Sequence, residues 1–370
     1  MNATQAIDLE DTDGLIAADR EGLLRAASTA GAHVRAVAAA RDEGELDSLH
    51  GHDRPRTVIW VAGRGTAEAA GVMLAATLGA AASAPIVIAR EAPPWVGPLD
   101  VVVVAGDDPC DPALVTATAT GVRRGARVVV VAPYQGPLRD CSAGRVAVLA
   151  PRLPVPDAFG FSRYLAAGLA VLRTVDHRLS IDLSSLADEL DAEALRNGAG
   201  REVFTNPAKT LAARITGRRV ALVGDNAATL ALARHGSSVL LRVAHQVAAA
   251  SWLADAMVAL RTGMTSGVGD DGYSANALFH DEQIDGPLPE RMRVLALTLA
   301  EERAVVGARV AGLSDVYVVA AEDAAQVPGV PGALAGSDGA MTGTQQAEQQ
   351  LAVLAVRLEM AAVYQRLVRG

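Results

Sequence analysis

Aromatic side chains make up only 3% of the 370 residues, with Phe 4, Tyr 5 and Trp 3. Rings on which bases stack are therefore scarce. The formal net charge of -9 also opposes a phosphate backbone, and together these two facts exclude a nucleic-acid-binding class. Cysteine is nearly absent: Cys110 and Cys141 form neither a CxxC pair nor a disulfide framework. The opening MNATQAIDLE lacks the basic and then apolar stretch of a secretory signal, so the expected location is cytoplasmic. Lysine is almost missing too, since Lys209 is the sole lysine and every other basic residue is arginine. Charged residues are only 20% against 51% hydrophobic, which excludes a disordered chain. The one long uncharged stretch, Ala69 to Ala89, is mostly Ala and Gly, and Pro85 precedes the β-branched IVI. It reads as a buried helix followed by a buried strand and not as a membrane span.

At this length the chain is expected to hold two domains. The segment through about Ala40 carries apolar residues at helical spacing (Leu15, Ile16, Leu23, Leu24, Ala27, Val34, Val37) and is a helical lead-in. Short runs with little alternation follow: TVIWVA, PIVIA, DVVVVA, RVVVVA and RVAVLA. Such runs are strands covered on both faces, and the Ala-rich helical segments between them imply a parallel sheet wrapped by helices. After the Pro-rich APRLPVPDAFG come a long helix, FSRYLAAGLAVLRTVD, and a polar helix at 180 to 197. The pattern restarts with the strand RRVALVGD, a helix NAATLALARHG, a strand SSVLLRV, and strands at RVLALTL and DVYVVAA. The end, TGTQQAEQQLAVLAVRLEMAAVYQRLV, predicts a C-terminal helix packed on the body. The organisation is thus 1–176, a lead-in with a first α/β domain; 177–205, a connecting helix and linker; and 206–370, a second α/β domain.

Two loops invite a functional reading from the residues alone. Gly63-Arg64-Gly65-Thr66 follows a strand and opens a helix, where backbone N–H groups and the helix dipole hold anions. The dinucleotide fingerprint would need glycine where Glu68 stands, although Gly71 lies beyond and Glu91 ends the next strand as a ribose-binding acid would. A tight turn that merely needs small residues is the alternative. The loop after DVVVVA reads Gly106-Asp107-Asp108-Pro109-Cys110-Asp111-Pro112. It is either an acidic turn, with Asp111 as N-cap and Pro112 starting a helix, or a cluster able to gather Mg²⁺.

The order of elements, the segments FTNPAKTLA and FHDEQIDG, and the C-terminal helix together resemble the bifunctional phosphoglucose/phosphomannose isomerases, built from two sugar isomerase (SIS) domains. The most specific pieces are Asn206-Pro207-Ala208-Lys209, similar to the NPAK run opening that family's second domain, and Phe279 to Ile284, similar to its NHNEI-like segment. The resemblance implies an α/β fold of two SIS-like domains, a homodimer, and aldose–ketose interconversion of sugar phosphates through an enediol, with no cofactor. It places His280 at the ring-opening histidine, a task its near-neutral ordinary pKa suits. Gly63, Arg64, Gly65, Thr66 and Lys209 are the expected substrate contacts.

Three departures stand out. The family's Ser/Thr-rich phosphate loop is here the acidic 106–112 turn, and a carboxylate about 5 Å from a phosphate charge costs on the order of 3 kcal/mol at an effective dielectric near 20. The family's arginine before the long helix is matched by Pro156-Asp157-Ala158-Phe159-Gly160, an anion for a cation. Its base glutamate is missing from RTGMTSGVGDDGYSAN, where Asp270 or Asp271 is the only substitute. The alternatives are therefore an isomerase with a rebuilt clamp, a catalytically silent relative that binds a sugar phosphate or a partner enzyme, and a nucleotide-binding protein using Gly63, Gly65 and Glu91.

Overall fold

The computed structural model describes residues 7–50, 54–62, 65–262, 292–313, 315–322 and 347–369. Valine-rich runs make the first sheet: β1 (Val58–Ala62), β2 (Ile86–Ala89), β3 (Val101–Ala105), β4 (Arg127–Val131) and the short β5 (Ala147–Val148). Every pairing is parallel, in the order β2-β1-β3-β4-β5. The central strands β1 and β3 are buried at every residue, as unalternating runs demand, whereas β2 at the edge is half-buried. The second sheet holds β6 (Arg219–Gly224), β7 (Ala248–Trp252), β8 (Met292–Leu297) and β9 (Val316–Val319), again all parallel, in the order β7-β6-β8-β9.

The lead-in forms α1 (Thr12–Ala18), α2 (Leu23–Ala27) and α3 (Ala30–Asp42). The first sheet is wrapped by α4 (Thr66–Leu78), α5 (Pro112–Arg123), α6 (Gly136–Ser142) and α7 (Phe161–Val175). Then come α8 (Leu183–Arg196), α9 (Pro207–Ile215), α10 (Ala227–Ala244), α11 (Leu253–Thr262), α12 (Arg303–Val310) and the C-terminal α13 (Ala347–Arg369). Helix α10 packs on α4 from the first half and on α13 from the end of the chain, so one apolar core runs between the two sheets. Helix α13 is buried on nearly all sides, which fits its long apolar composition. Among the described residues no helix is long and apolar enough to cross a membrane; the uncharged stretch from Ala69 divides into α4 and β2.

One expected strand is corrected. SSVLLRV is the second half of α10, which continues without a break to Ala244. Its buried Leu232, Val239, Leu240 and Val243 fall on one helical face, and a capping box of Asn226 and Thr229 fixes the start. Gly236 is no helix end: a Cβ there would lie 2.8 Å from Leu222 of the sheet and 3.0 Å from Leu358 of α13. Glycine lets α10 approach both.

Candidate functional site

In the first sheet, β1 and β3 are neighbours whose connections leave in opposite directions, and ligands of open α/β sheets sit in the crevice at the carboxyl ends of such strands. Gly65 and Thr66 bring the loop after β1 to this crevice. Gly65 immediately precedes α4 with φ 70°, a left-handed backbone that favours glycine. The neighbouring Gly63 and Arg64 lie outside the described residues, as do His280, Asp270 and Asp271. The third glycine of a dinucleotide reading, Gly71, has a packing role: a Cβ there would lie 2.2 Å from Trp60 Cδ1, and the Trp60 indole donates to Ala67 O at 2.9 Å.

The loop after β3 is an acidic turn engaged with its own backbone. Asp108 Oδ1 accepts from Cys110 N–H at 2.8 Å, and Asp111 Oδ1 accepts from Ala113 N–H at 2.9 Å as the N-cap of α5, with Pro112 in the first turn. Among the described residues no group of three His, Cys, Asp or Glu side chains is placed to hold a metal ion. Asp157, at the position resembling the family's arginine, is the pivot of the crevice. Thr66 Oγ1 lies within hydrogen-bond distance of both Asp157 O, at 2.9 Å, and Asp157 Oδ2, at 3.1 Å. Arg242 of α10 donates to the same Oδ2 at 2.9 Å. A residue of the second half thus pairs with the carboxylate that stands where the resemblance puts a cation.

Behind this clasp lies a cavity of about 280 Å³ between α4 and α10. Thr66, Glu68, Ala69 and Val72 line it from α4, and Arg234, His235, Ser238 and Arg242 from α10. His235 is 3% exposed, and its Nε2 lies 2.9 Å from Glu359 Oε1 of α13. Burial pushes the Glu359 carboxyl above the usual carboxylate range, with the hydrogen bond and charge of His235 working against that rise. The imidazole also packs on Phe161, with ring centroids 4.6 Å apart.

The first turn of α7 adds three buried polar groups without hydrogen-bond partners among the described residues: Ser162 Oγ, Arg163 Nη1 and Tyr164 Oη. Arg163 lies over the Tyr164 ring at 4.2 Å. Burial, ahead of the charge of Arg163, lowers His33 of α3 from 6.5 to about 4.

Lys209 stands elsewhere. It is fully buried, its ammonium donates to Ala199 O at 2.8 Å and Arg201 O at 2.9 Å, and the Tyr364 ring lies 5.6 Å away. Asn206 caps α9 by accepting from Lys209 N–H, with Pro207 in the first turn. The NPAK-like run is therefore built into a helix start, and Lys209 does not line the cavity. Sequence reasoning missed Arg234, His235, Ser238 and Arg242. Their signal was the i, i+4, i+8 spacing of Arg234, Ser238 and Arg242 on one helix face, hidden by the expected break at Gly236.

No family model and no curated protein matches the sequence. Solved structures do. A candidate phosphosugar isomerase from Clostridium difficile 630 is similar over 94% of this chain and 93% of its own, at TM-score 0.61 and 12% identity. Tagatose-6-phosphate ketose/aldose isomerase from Escherichia coli is similar over 94% and 91%, at TM-score 0.56 and 16% identity. The C-terminal domain of glucosamine-fructose-6-phosphate aminotransferase from Francisella tularensis is similar over 94% and 96%, at TM-score 0.56 and 9% identity. The chain shares its two-sheet α/β fold with these structures.

Proposed function

We propose that the protein binds a sugar phosphate at the first sheet's crevice and interconverts glucose 6-phosphate or mannose 6-phosphate with fructose 6-phosphate, as a divergent homodimeric relative of the phosphoglucose/phosphomannose isomerases. The observation that carries this reading is the meeting of Gly65 and Thr66, at the start of α4, with Arg242 and Arg234 at the mouth of the cavity of about 280 Å³. That volume is close to the size of small-ligand sites, and a helix start beside two arginines suits an anion. Gly63 and Arg64 complete the loop, and His280 opens the ring. Lys209, whose ammonium is held by Ala199 O and Arg201 O, is not among the residues lining the cavity. The fold supports the substrate class, and the arginines supply the positive charge that the acidic 106–112 turn lacks.

A second reading, a catalytically silent sugar-phosphate binder that regulates or scaffolds a partner enzyme, is favoured by one feature. The Asp157 carboxylate already occupies the hydroxyl of Thr66 and the guanidinium of Arg242. Calorimetric titration with fructose 6-phosphate, glucose 6-phosphate and mannose 6-phosphate, together with an interconversion assay against His280→Ala, separates the two. Turnover lost in the variant supports the isomerase. Binding without turnover supports the silent relative, and no binding removes both.

A further inference from the structure

The sequence lacks the glutamate that would serve as enediol base by resemblance, yet the cavity between α4 and α10 holds an acid–base pair of another kind. We infer that the sugar of the phosphorylated substrate lies in this cavity and that His235, oriented by Glu359, moves the proton between its neighbouring carbons. The inference rests on the sugar-phosphate reading above and adds the residues that do the chemistry.

Four observations converge on His235. Its Nε2 is fixed 2.9 Å from Glu359 Oε1, and Phe161 covers one side of the ring. Nδ1 has no hydrogen-bond partner among the described residues, and the side chain lines the cavity. In the tautomer whose Nε2–H donates to Glu359 Oε1, the lone pair sits on Nδ1, as a base requires. The pair is also hard to explain as packing. The His235 and Glu359 side chains are 2% and 3% exposed. Two apolar residues would join α10 to α13 without the cost of burying ionisable groups.

The spacing fits an open-chain hexose phosphate. Positions 235 and 242 stand about 10 Å apart along the helix axis at 1.5 Å rise per residue. With the phosphate at Arg242 and Thr66, the carbonyl end reaches His235. The small walls Ala69, Val72 and Ala231 leave room for the carbon chain. His235 takes a proton from the carbon beside the carbonyl, the C–H electron pair becomes the enediol double bond, and the carbonyl oxygen takes the proton of the hydroxyl on that neighbouring carbon. His235 then returns its proton to the former carbonyl carbon as the electrons of the bared oxygen form the new carbonyl. Atoms and electrons balance with no co-reactant. Glu359 is a positioning residue that stabilises the imidazolium between the two transfers.

The test uses the full chain. His235→Gln, Glu359→Gln and Ala69→Leu, each checked for wild-type circular dichroism, are compared by calorimetry with fructose 6-phosphate and by solvent-deuterium exchange into its C1 position, read by NMR. His235→Gln is expected to bind within threefold of wild type and to lose exchange at least 100-fold. Glu359→Gln should lower the exchange rate about tenfold at unchanged affinity, a split that a purely structural residue would not give. Ala69→Leu, which fills the cavity without touching the pair, should lose binding. Wild-type exchange in His235→Gln, or wild-type affinity in Ala69→Leu, overturns the inference and leaves the sugar-phosphate reading standing. A wild-type protein that binds none of the three sugar phosphates overturns that reading, and this inference with it.

Discussion

Asp157 decides how the crevice meets an anion. Its Oδ2 accepts from Arg242 at 2.9 Å and lies 3.1 Å from Thr66 Oγ1, the groups a phosphate would use. A fixed carboxylate about 5 Å from a phosphate opposes it by on the order of 3 kcal/mol at a dielectric near 20, and partial exposure with physiological salt reduces this. Asp157→Asn is therefore expected to raise affinity for inorganic phosphate at least tenfold in calorimetry. The lost ion pair, half open to solvent, should lower stability by no more than about 1 kcal/mol. An Asn variant that binds no tighter places the anion away from Thr66. The residue was visible in the sequence, where it stands in for a cation, but its partner was not. Arg242 lies 85 positions away on a helix whose second half reads as a strand by β-propensity.

At the scale of elements, helix α7 meets the lead-in helix α3 through ionisable groups. His33 is 1% exposed and lies beside Arg163, itself 8% exposed, so the imidazole stays neutral in the folded protein. A histidine lowered from 6.5 to about 4 binds more protons when unfolded over that interval, so stability rises with pH from about 4 to 6.5 and falls as pH drops through it. Below that, Glu193 of α8 takes over. Burial, the largest single influence, raises its carboxyl, but Arg357, donating to it at 2.7 Å, together with Arg196 and Asn197 holds it below the usual carboxylate range. Its contribution is therefore lost only as pH falls through the folded value. Urea midpoints are expected to decline from pH 6.5 to 4 in the wild type and to lose most of that slope in His33→Gln. An equal slope in the variant assigns the acid lability elsewhere. Elements were the most legible level of this chain. Unalternating valine runs can only be strands covered on both faces, and Asn206-Pro207 or Asp111-Pro112 can hardly be anything but helix starts. What failed was β7. Its AAASW sequence has little β-propensity and is held by pairing with β6, while the richer SSVLLRV is helix because tertiary packing on Leu222 and Leu358 overrides propensity.

For the whole molecule, length and the restart of the strand pattern argue for two bodies, yet the packing joins them. One apolar cluster holds Trp60, Val103 and Leu165 from the first half, Leu222 and Leu295 from the second sheet, and Leu351 and Leu358 from α13. Smaller clusters lie apart from it, around Val102 and Leu138 in the first half and Val223 and Val306 in the second. Charged links run the same way: Arg242 reaches Asp157, and buried Arg357 of α13 joins Glu193 of α8 while its other nitrogens donate to Ala320 O and Ala321 O at 2.8 Å after β9. Opening either half exposes the α4–α10 face of the other, together with an uncompensated buried charge, so a partly unfolded state loses more than it gains in chain entropy. Unfolding is therefore expected to be a single transition despite a size at which separate domains are common. Tryptophan fluorescence, reporting Trp60 in the shared core along with the partly exposed Trp95 and Trp252, and far-UV circular dichroism, reporting all helices, should give coincident urea midpoints. Fructose 6-phosphate, seated between α4 and α10, should raise both by the same amount. Two resolved midpoints, or a ligand shift confined to one probe, would mean that the halves fold independently and that the cavity between them is too loosely held to orient His235.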